Sequence, residues 1–325
     1  DDEELSTMLH PRRLAIRPHH PDQARALAQA LDIPEVIAQL LIQRQLHDHD
    51  QARSFLYDDA SQVCFDPMLF RDMDKAVGLI ESAIEQGHLI FIHGDYDVDG
   101  ICSTVLLAEG LQNLGAQVEH HVPCRFTEGY GVSVKAVEAA AARGAKMSLT
   151  CDCGSSSHLA IETAQGLGMT VIVTDHHHLP ARLPTPEAHL NPQLADCNYP
   201  FKPMCGTTVA YKLVCALHQQ RGLAWPTEFL DLVAVATIAD VMPLVGENRG
   251  LVRSGLRQLA LLERPGLRAL AQISGLEEGP WGSFAVGFGL GPRLNAAGRL
   301  EHARLGVQLL MTYEDEPARQ QASYL

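Results

Sequence analysis

Basic residues are scarce in this chain: its 325 residues include 25 Lys and Arg against 39 Asp and Glu, a formal net charge of −14. That balance excludes a protein that coats nucleic acid non-specifically, because such affinity comes from cations neutralising phosphates. Long apolar runs are also missing. No stretch of about 18 apolar residues marks a membrane span, and the opening DDEELSTMLHPRR lacks the basic-then-apolar order of a secretory signal. A cytoplasmic, monomeric protein with no membrane partner is expected. Cysteine is too sparse, at eight residues, for a disulfide framework, and Cys151-x-Cys153 followed by Cys197 and Cys205 lacks the paired CxxC spacing of a zinc site. The cysteines read as reduced thiols, most of them buried.

What is present is the composition of an ordinary globular protein, 46% hydrophobic and 20% charged, with enough apolar material for a large core. Residues 1–87 read as an N-terminal helical region, with helices over 24–31, 34–43, 51–56 and 72–86. From Leu89 short apolar runs alternate with helical periodicity: LIFIH, a helix over 101–114, QVEHHV, a helix over 133–143, MSLTC, a helix over 156–167, TVIVT and AHLN. Strands separated by helices of this length imply βαβ units and a parallel, Rossmann-like α/β sheet spanning 88–245. Helical patterns resume over 207–272, with breaks at Gly222–Pro226 and Val241–Gly246. The glycine-rich segment from Gly275 to Gly298 reads as a connection, part of a helical connector over 246–325 leading toward a further domain, so that the chain looks like a fragment.

In open α/β sheets ligands bind beyond the carboxyl ends of the strands, and acidic and imidazole residues gather there. LIFIH ends in His93 and runs into GDYDVDG, with Asp95, Asp97 and Asp99 before a helix. MSLTC ends at Asp152, TVIVT at Asp175, His176 and His177, and the helical DLVAVATIAD delivers Asp240. The DYDVDG stretch matches only the first half of a calcium loop: Leu106 stands where a bidentate Glu is needed, and a strand precedes it. Asp95 fits a helix cap as well as a ligand. Mixed carboxylate and imidazole donors suit Mn²⁺, with Mg²⁺ or Co²⁺ as substitutes. Two such ions about 3.5–4 Å apart would clamp a phosphodiester, with Asp152 as the bridge.

HGDYDVDG over 93–100, Asp152–Gly154, TDHH over 174–177 and Asp240 resemble the successive motifs of the DHH phosphoesterase superfamily. The resemblance implies that His93, Asp97 and Asp152 hold one metal ion, and that Asp99, Asp152, His176 and Asp240 hold a second. It further implies that His177 contacts the scissile phosphate or protonates the leaving group while Asp175 supports the site.

ALDIPEVIAQLLIQRQLHDHDQARSFL, RFTEGYGVS and GPRLNAAGRL narrow the resemblance to RecJ-type nucleases, which degrade single-stranded DNA from its 5′ end in recombination and repair. Arg125 and Tyr130 would then approach the 5′-terminal nucleotide, and Arg293, Asn295 and Arg299 would hold phosphates. Guanidinium groups in glycine-rich loops and an exposed Tyr suit those contacts. Single-strand-binding protein is a partner implied by the resemblance alone. The pair His120 and His121 reads as structural. Two positions depart from the family's pattern: Thr208 replaces a second glycine, and Ser155 replaces the usual apolar residue. A DHH enzyme for oligoribonucleotides or nucleotide phosphates, and a non-catalytic replication factor that keeps the fold, are the alternatives.

Overall fold

The computed structural model describes residues 18–124, 128–129, 131–276, 281–299 and 303–325, the side chains of 297–299 excepted. The chain divides into two compact units, Asp1–Asp58 and Asp59–Leu325. In the first, α1 (Pro21–Leu31), α2 (Glu35–Ile42) and α3 (His49–Tyr57) bury a small core that includes Leu27, Leu41 and Ile42. Asp48 caps α3 by accepting the amides of Asp50 and Gln51.

The second unit opens with the short α4 (Ala60–Val63) and α5 (Met73–Glu85), so the helices over 59–87 belong with the sheet and not with the first three. The sheet is built from β1 (Leu89–His93), β2 (Gln117–His121), β3 (Ala145–Cys151), β4 (Thr170–Thr174) and β5 (Ala188–Leu190). All pairings are parallel, in the order β2-β1-β3-β4-β5. The central strands read as unbroken apolar runs because helices cover both faces. The connections are α6 (Val98–Asn113), α7 (Val134–Ala142) and α8 (His158–Gly166). Because the chain steps from β1 outward to β2 and then back to β3 on the other side of β1, the order reverses between β1 and β3. That reversal is where such sheets open a crevice.

On one face α6 is buried from Val98 to Leu111 beneath α9 (Gly206–Gln220) and α10 (Leu230–Ala239). The sequence of α10, LDLVAVATIA, is apolar on every side, as expected of a helix buried all round. Helices α11 (Gly246–Leu259) and α12 (Pro265–Ile273) follow. Within this layer Lys212 and Glu247, both fully buried, form an ion pair at 2.5 Å, and Tyr199 donates to the same carboxylate at 2.8 Å.

The glycine-rich segment departs from the expectation of an irregular connection. Ser283–Ala285 (α13) runs through a π-helical turn, Val286–Leu290, into α14 (Gly291–Arg299). Glycine is a poor helix former, yet the segment is helical; Cβ atoms on Gly287 and Gly291 would stand 3.5 Å from Ile238 and 3.6 Å from Ala239 of α10, ordinary contact distances. Arg293 and Arg299, expected in a loop, are therefore helical. Helices α15 (Ala303–Leu310) and α16 (Asp315–Ala322) close the described fold. No described helix is long and apolar enough to cross a membrane. All eight cysteines are free, and six are buried.

Candidate metal centre

The acidic loop after β1 folds tightly onto the start of α6. A Cβ on Gly100 would meet the Asp95 carbonyl carbon and oxygen at 2.4 and 2.3 Å, so only glycine fits. The helix begins at Val98, earlier than its apolar pattern suggests, because Asp97 caps it by accepting the Gly100 amide at 3.0 Å. Asp99 consequently lies in the first turn, buried, and is gripped from another helix. Its carboxylate accepts the amides of Gly206 and Thr207 at 2.6 and 2.8 Å and the Thr207 hydroxyl at 2.6 Å. The first N–H groups of a helix have no partner within it, which makes the N-terminus of α9 a natural seat for this carboxylate.

Asp152 follows β3 directly, with a left-handed backbone at φ 59° that non-glycine residues rarely adopt. It is 1% exposed, and neither carboxylate oxygen has a hydrogen-bond partner. A Cβ on Gly206 would lie 2.6 Å from its Oδ1. His176 Nε2 sits 3.1 Å from Asp152 Oδ1, 3.5 Å from Asp99 Oδ2 and 3.8 Å from Asp240 Oδ2. Asp240 terminates α10, and its Oδ2 is also buried without a partner. Two groups of donors close enough to share an ion result: Asp152, His176 and His177, and Asp99, His176 and Asp240. His176 is common to both, whereas the sequence points to Asp152 as the shared residue.

Crowded carboxylates raise one another's proton affinity. Burial, then the charges of Asp99, Asp97 and Asp95, push Asp152 well above the usual carboxylate range. Burial chiefly pushes Asp95 up to about 7 and Asp240 to about 6, and lifts Asp97 as well. Asp175 goes the other way: burial raises it, but the His177 ring and the backbone amides of Ser155 and His177 hold it below the usual range. The hydrogen bond to Asp175 lifts His177 to about 9. Buried carboxylate oxygens without partners, set beside imidazole, fit a hard divalent cation such as Mn²⁺ or Mg²⁺, whose charge relieves this repulsion.

Other expected residues lie differently. His93 is fully buried at the end of β1, where burial lowers its imidazole to about 3. Its Nε2 accepts the Ser133 amide at 3.0 Å, which leaves the ring proton on an unpartnered Nδ1. His93, Asp95 and Asp97 fall outside both donor groups. Arg293 donates to the Gly289 and Ile273 carbonyls, each at 3.3 Å, and Asn295 lines a groove beside Val98 and Ala239. Arg125 and Tyr130 lie outside the described residues, as does the Arg299 side chain. His121 pairs with Glu128 at 2.9 Å.

Sequence reasoning missed a buried clasp behind the TDHH loop. The Ser155 amide donates to Asp175 at 2.8 Å, and its hydroxyl meets His189 Nε2 at 2.9 Å. Asn191 bonds both the Ser155 hydroxyl and the His177 carbonyl, at 3.0 and 3.1 Å. The polar residue at 155, in place of the usual apolar one, is the signal that points to it.

A parallel α/β sheet with a carboxylate and imidazole cluster at its topological switch point defines an α/β protein built around a divalent-metal centre. Residues 89–237 match the DHH family, N-terminal domain, and the chain belongs to that family. It is 39% identical over 302 residues to the single-stranded-DNA-specific exonuclease RecJ of Bacillus subtilis (strain 168), covering 93% of this chain and 38% of that protein. A crystal structure of RecJ from Thermus thermophilus in complex with Mn²⁺ superposes with a TM-score of 0.80 at 33% identity, covering 96% of this chain and 44% of that one. A crystal structure of exonuclease RecJ bound to manganese gives a TM-score of 0.73 at 38% identity, over 78% of this chain and 64% of that one. The chain spans about half the length of the curated relatives it matches, or less.

Proposed function

We propose that this chain is the catalytic core of a metal-dependent exonuclease that removes nucleotides from the 5′ end of single-stranded DNA in a cytoplasmic repair or recombination setting. The observation that carries the reading is Asp152, a buried carboxylate with two unpartnered oxygens and a left-handed backbone, facing His176 amid three further acids. The RecJ relatives, two of them solved with manganese, support the substrate class and the metal.

Asp152, His176, Asp240 and Asp99 would hold divalent cations, with Asp97 as a further donor and His93 joining a two-ion site through Nδ1 once that nitrogen gives up its proton. When bound, such cations supply a nucleophilic hydroxide at neutral pH and polarise the phosphate. The chain's own residues do the rest. Asp175 accepts from His177 Nδ1, which orients the ring and raises its proton affinity, so that Nε2 is placed to deliver a proton to the leaving oxygen. The α9 N-terminus holds Asp99 in one orientation. Arg293 and Asn295, with Arg125, Tyr130 and Arg299, would contact the strand. In this reading residues 1–87 are a helical lead-in whose part from Asp59 onward packs with the sheet-bearing unit, 88–245 the catalytic domain and 246–325 a connector. The protein acts as a monomer, and single-strand-binding protein presents its substrate.

The deciding experiment offers the chain, with Mn²⁺, 5′-labelled and 3′-labelled single strands, duplex and RNA side by side. Release of 5′-terminal mononucleotides from single-stranded DNA is expected. Equal or better hydrolysis of short RNA would favour an oligoribonuclease, and no hydrolysis with manganese bound would sink the reading.

A further inference from the structure

The helix that passes the metal cluster carries two aromatic rings in solvent. Phe284 and Phe288, one turn apart, are 74% and 71% exposed. Their ring centroids lie 4.6 Å apart and the planes are 29° from parallel, so the rings stack on one another and leave their outer faces to solvent. Large apolar side chains gathered on a surface usually mark a binding site.

A groove of about 310 Å³ lies between this helix and the cluster, lined by Val98, Ala239, Gly287, Gly291, Pro292 and Asn295. Its cluster-side wall is made of immediate neighbours of the proposed ligands: Val98 stands between Asp97 and Asp99, and Ala239 precedes Asp240. Its other wall is the ring-bearing helix, in which Gly287 and Gly291 bracket Phe288 in sequence. The groove thus joins the surroundings of the cluster to the helix that bears the two rings.

We propose that Phe284 and Phe288 form a stacking platform for the unpaired bases of a single strand held with its scissile phosphate at the cluster. This rests on the function proposed above and extends it to how single strands are chosen. The chemistry of the surface selects this occupant. Flat rings offer sequence-tolerant stacking, and the Arg293 guanidinium and the Asn295 amide on the same helix add polar partners for the backbone; aromatic and guanidinium groups together are the pattern of single-strand binding surfaces. A base inside a duplex already has both faces covered by its neighbours. It gains nothing from the platform, so the two rings favour single strands without reading sequence.

The test compares the chain with Phe284→Ala/Phe288→Ala and Phe284→Leu/Phe288→Leu double variants, all with Mn²⁺. Three substrates are used: oligothymidylate, a strand of equal length with abasic units downstream of the first nucleotide, and bis(p-nitrophenyl) phosphate. Both variants should raise KM for oligothymidylate by about 5- to 100-fold, the worth of one stacked base. They should leave the abasic strand and the small diester unchanged. Unchanged KM for oligothymidylate overturns the platform, as does equal loss on the abasic strand. Full recovery by leucine, which keeps apolar area but lacks a flat face, overturns it as well. Failure of the unaltered chain to hydrolyse either DNA or the small diester would instead overturn the proposed function.

Discussion

His177 Nδ1 lies 2.9 Å from Asp175 Oδ1, and the same oxygen accepts the backbone amides of His176 and His177. One carboxylate thus fixes both the fold of the TDHH loop and the charge of its second histidine. Replacing His177 by Ala should leave metal affinity near that of the unaltered chain, measured by isothermal titration with Mn²⁺. Turnover should fall by roughly 10²- to 10⁴-fold, the usual loss for a general acid. A loss of metal as large as that of His176→Ala would remove the distinction between the two histidines.

Asp152 and Asp95 should part in the same assay. Asp152→Ala removes two unpartnered oxygens from the cluster and is expected to abolish hydrolysis and weaken metal binding. Asp95, which accepts the Tyr96 amide at 2.7 Å and lies outside the donor groups, should matter less. Equal severity would mean that Asp95 reaches the metal.

The crowded acids predict an unusual pH dependence without metal. Asp95 and Asp240 are raised to about 7 and about 6, so the folded chain holds protons that the unfolded chain has already released near pH 4. Their contribution is fully present below about pH 4 and is lost as pH rises through 6 to 7. Melts in chelator should show this part of the stability falling between about pH 5 and pH 7.5. Mn²⁺ should restore it most at the higher pH, where the carboxylates no longer compete for protons. A metal-free chain that gained stability steadily over that window would contradict the crowding.

Gly206 offers a way to damage the centre without touching a donor. A Cβ there would lie 2.6 Å from Asp152 Oδ1 and 2.8 Å from its Cα. Gly206→Ala should therefore displace Asp152 and cut Mn²⁺ affinity by at least about tenfold, the worth of roughly 1.4 kcal/mol, while far-ultraviolet circular dichroism stays unchanged. Unaltered metal binding would show that the site yields more easily than this geometry allows.

The sheet is readable because its strands are buried on both faces and appear as unbroken runs, LIFIH, MSLTC and TVIVT, each ending at a polar residue of the centre. The start of α6 is harder to place, because the pattern is apolar only from Ile101 whereas the helix is set by the Asp97 cap. What grips Asp99 is not legible at all, since Gly206 lies 107 residues away and its amide carries no side-chain signal. The helix over 283–299 is hidden by its glycines, poor helix formers that make the stretch read as a loop. The role of His176 as the donor common to both groups depends on how the start of α6, the end of α10 and the loops after β3 and β4 meet in space, which no spacing in the sequence encodes.

The left-handed backbone at Asp152 sets the working site against the stability of the fold that carries it. A non-glycine residue held there costs about 1–3 kcal/mol, and the buried charge adds to the burden. Asp152→Gly should relieve both, raising the melting temperature of the metal-free chain by several degrees while ending hydrolysis. Selection for heat resistance alone would thus tend to remove the carboxylate at this position, and any more thermostable form that keeps the metal centre must draw its gain from elsewhere in the chain.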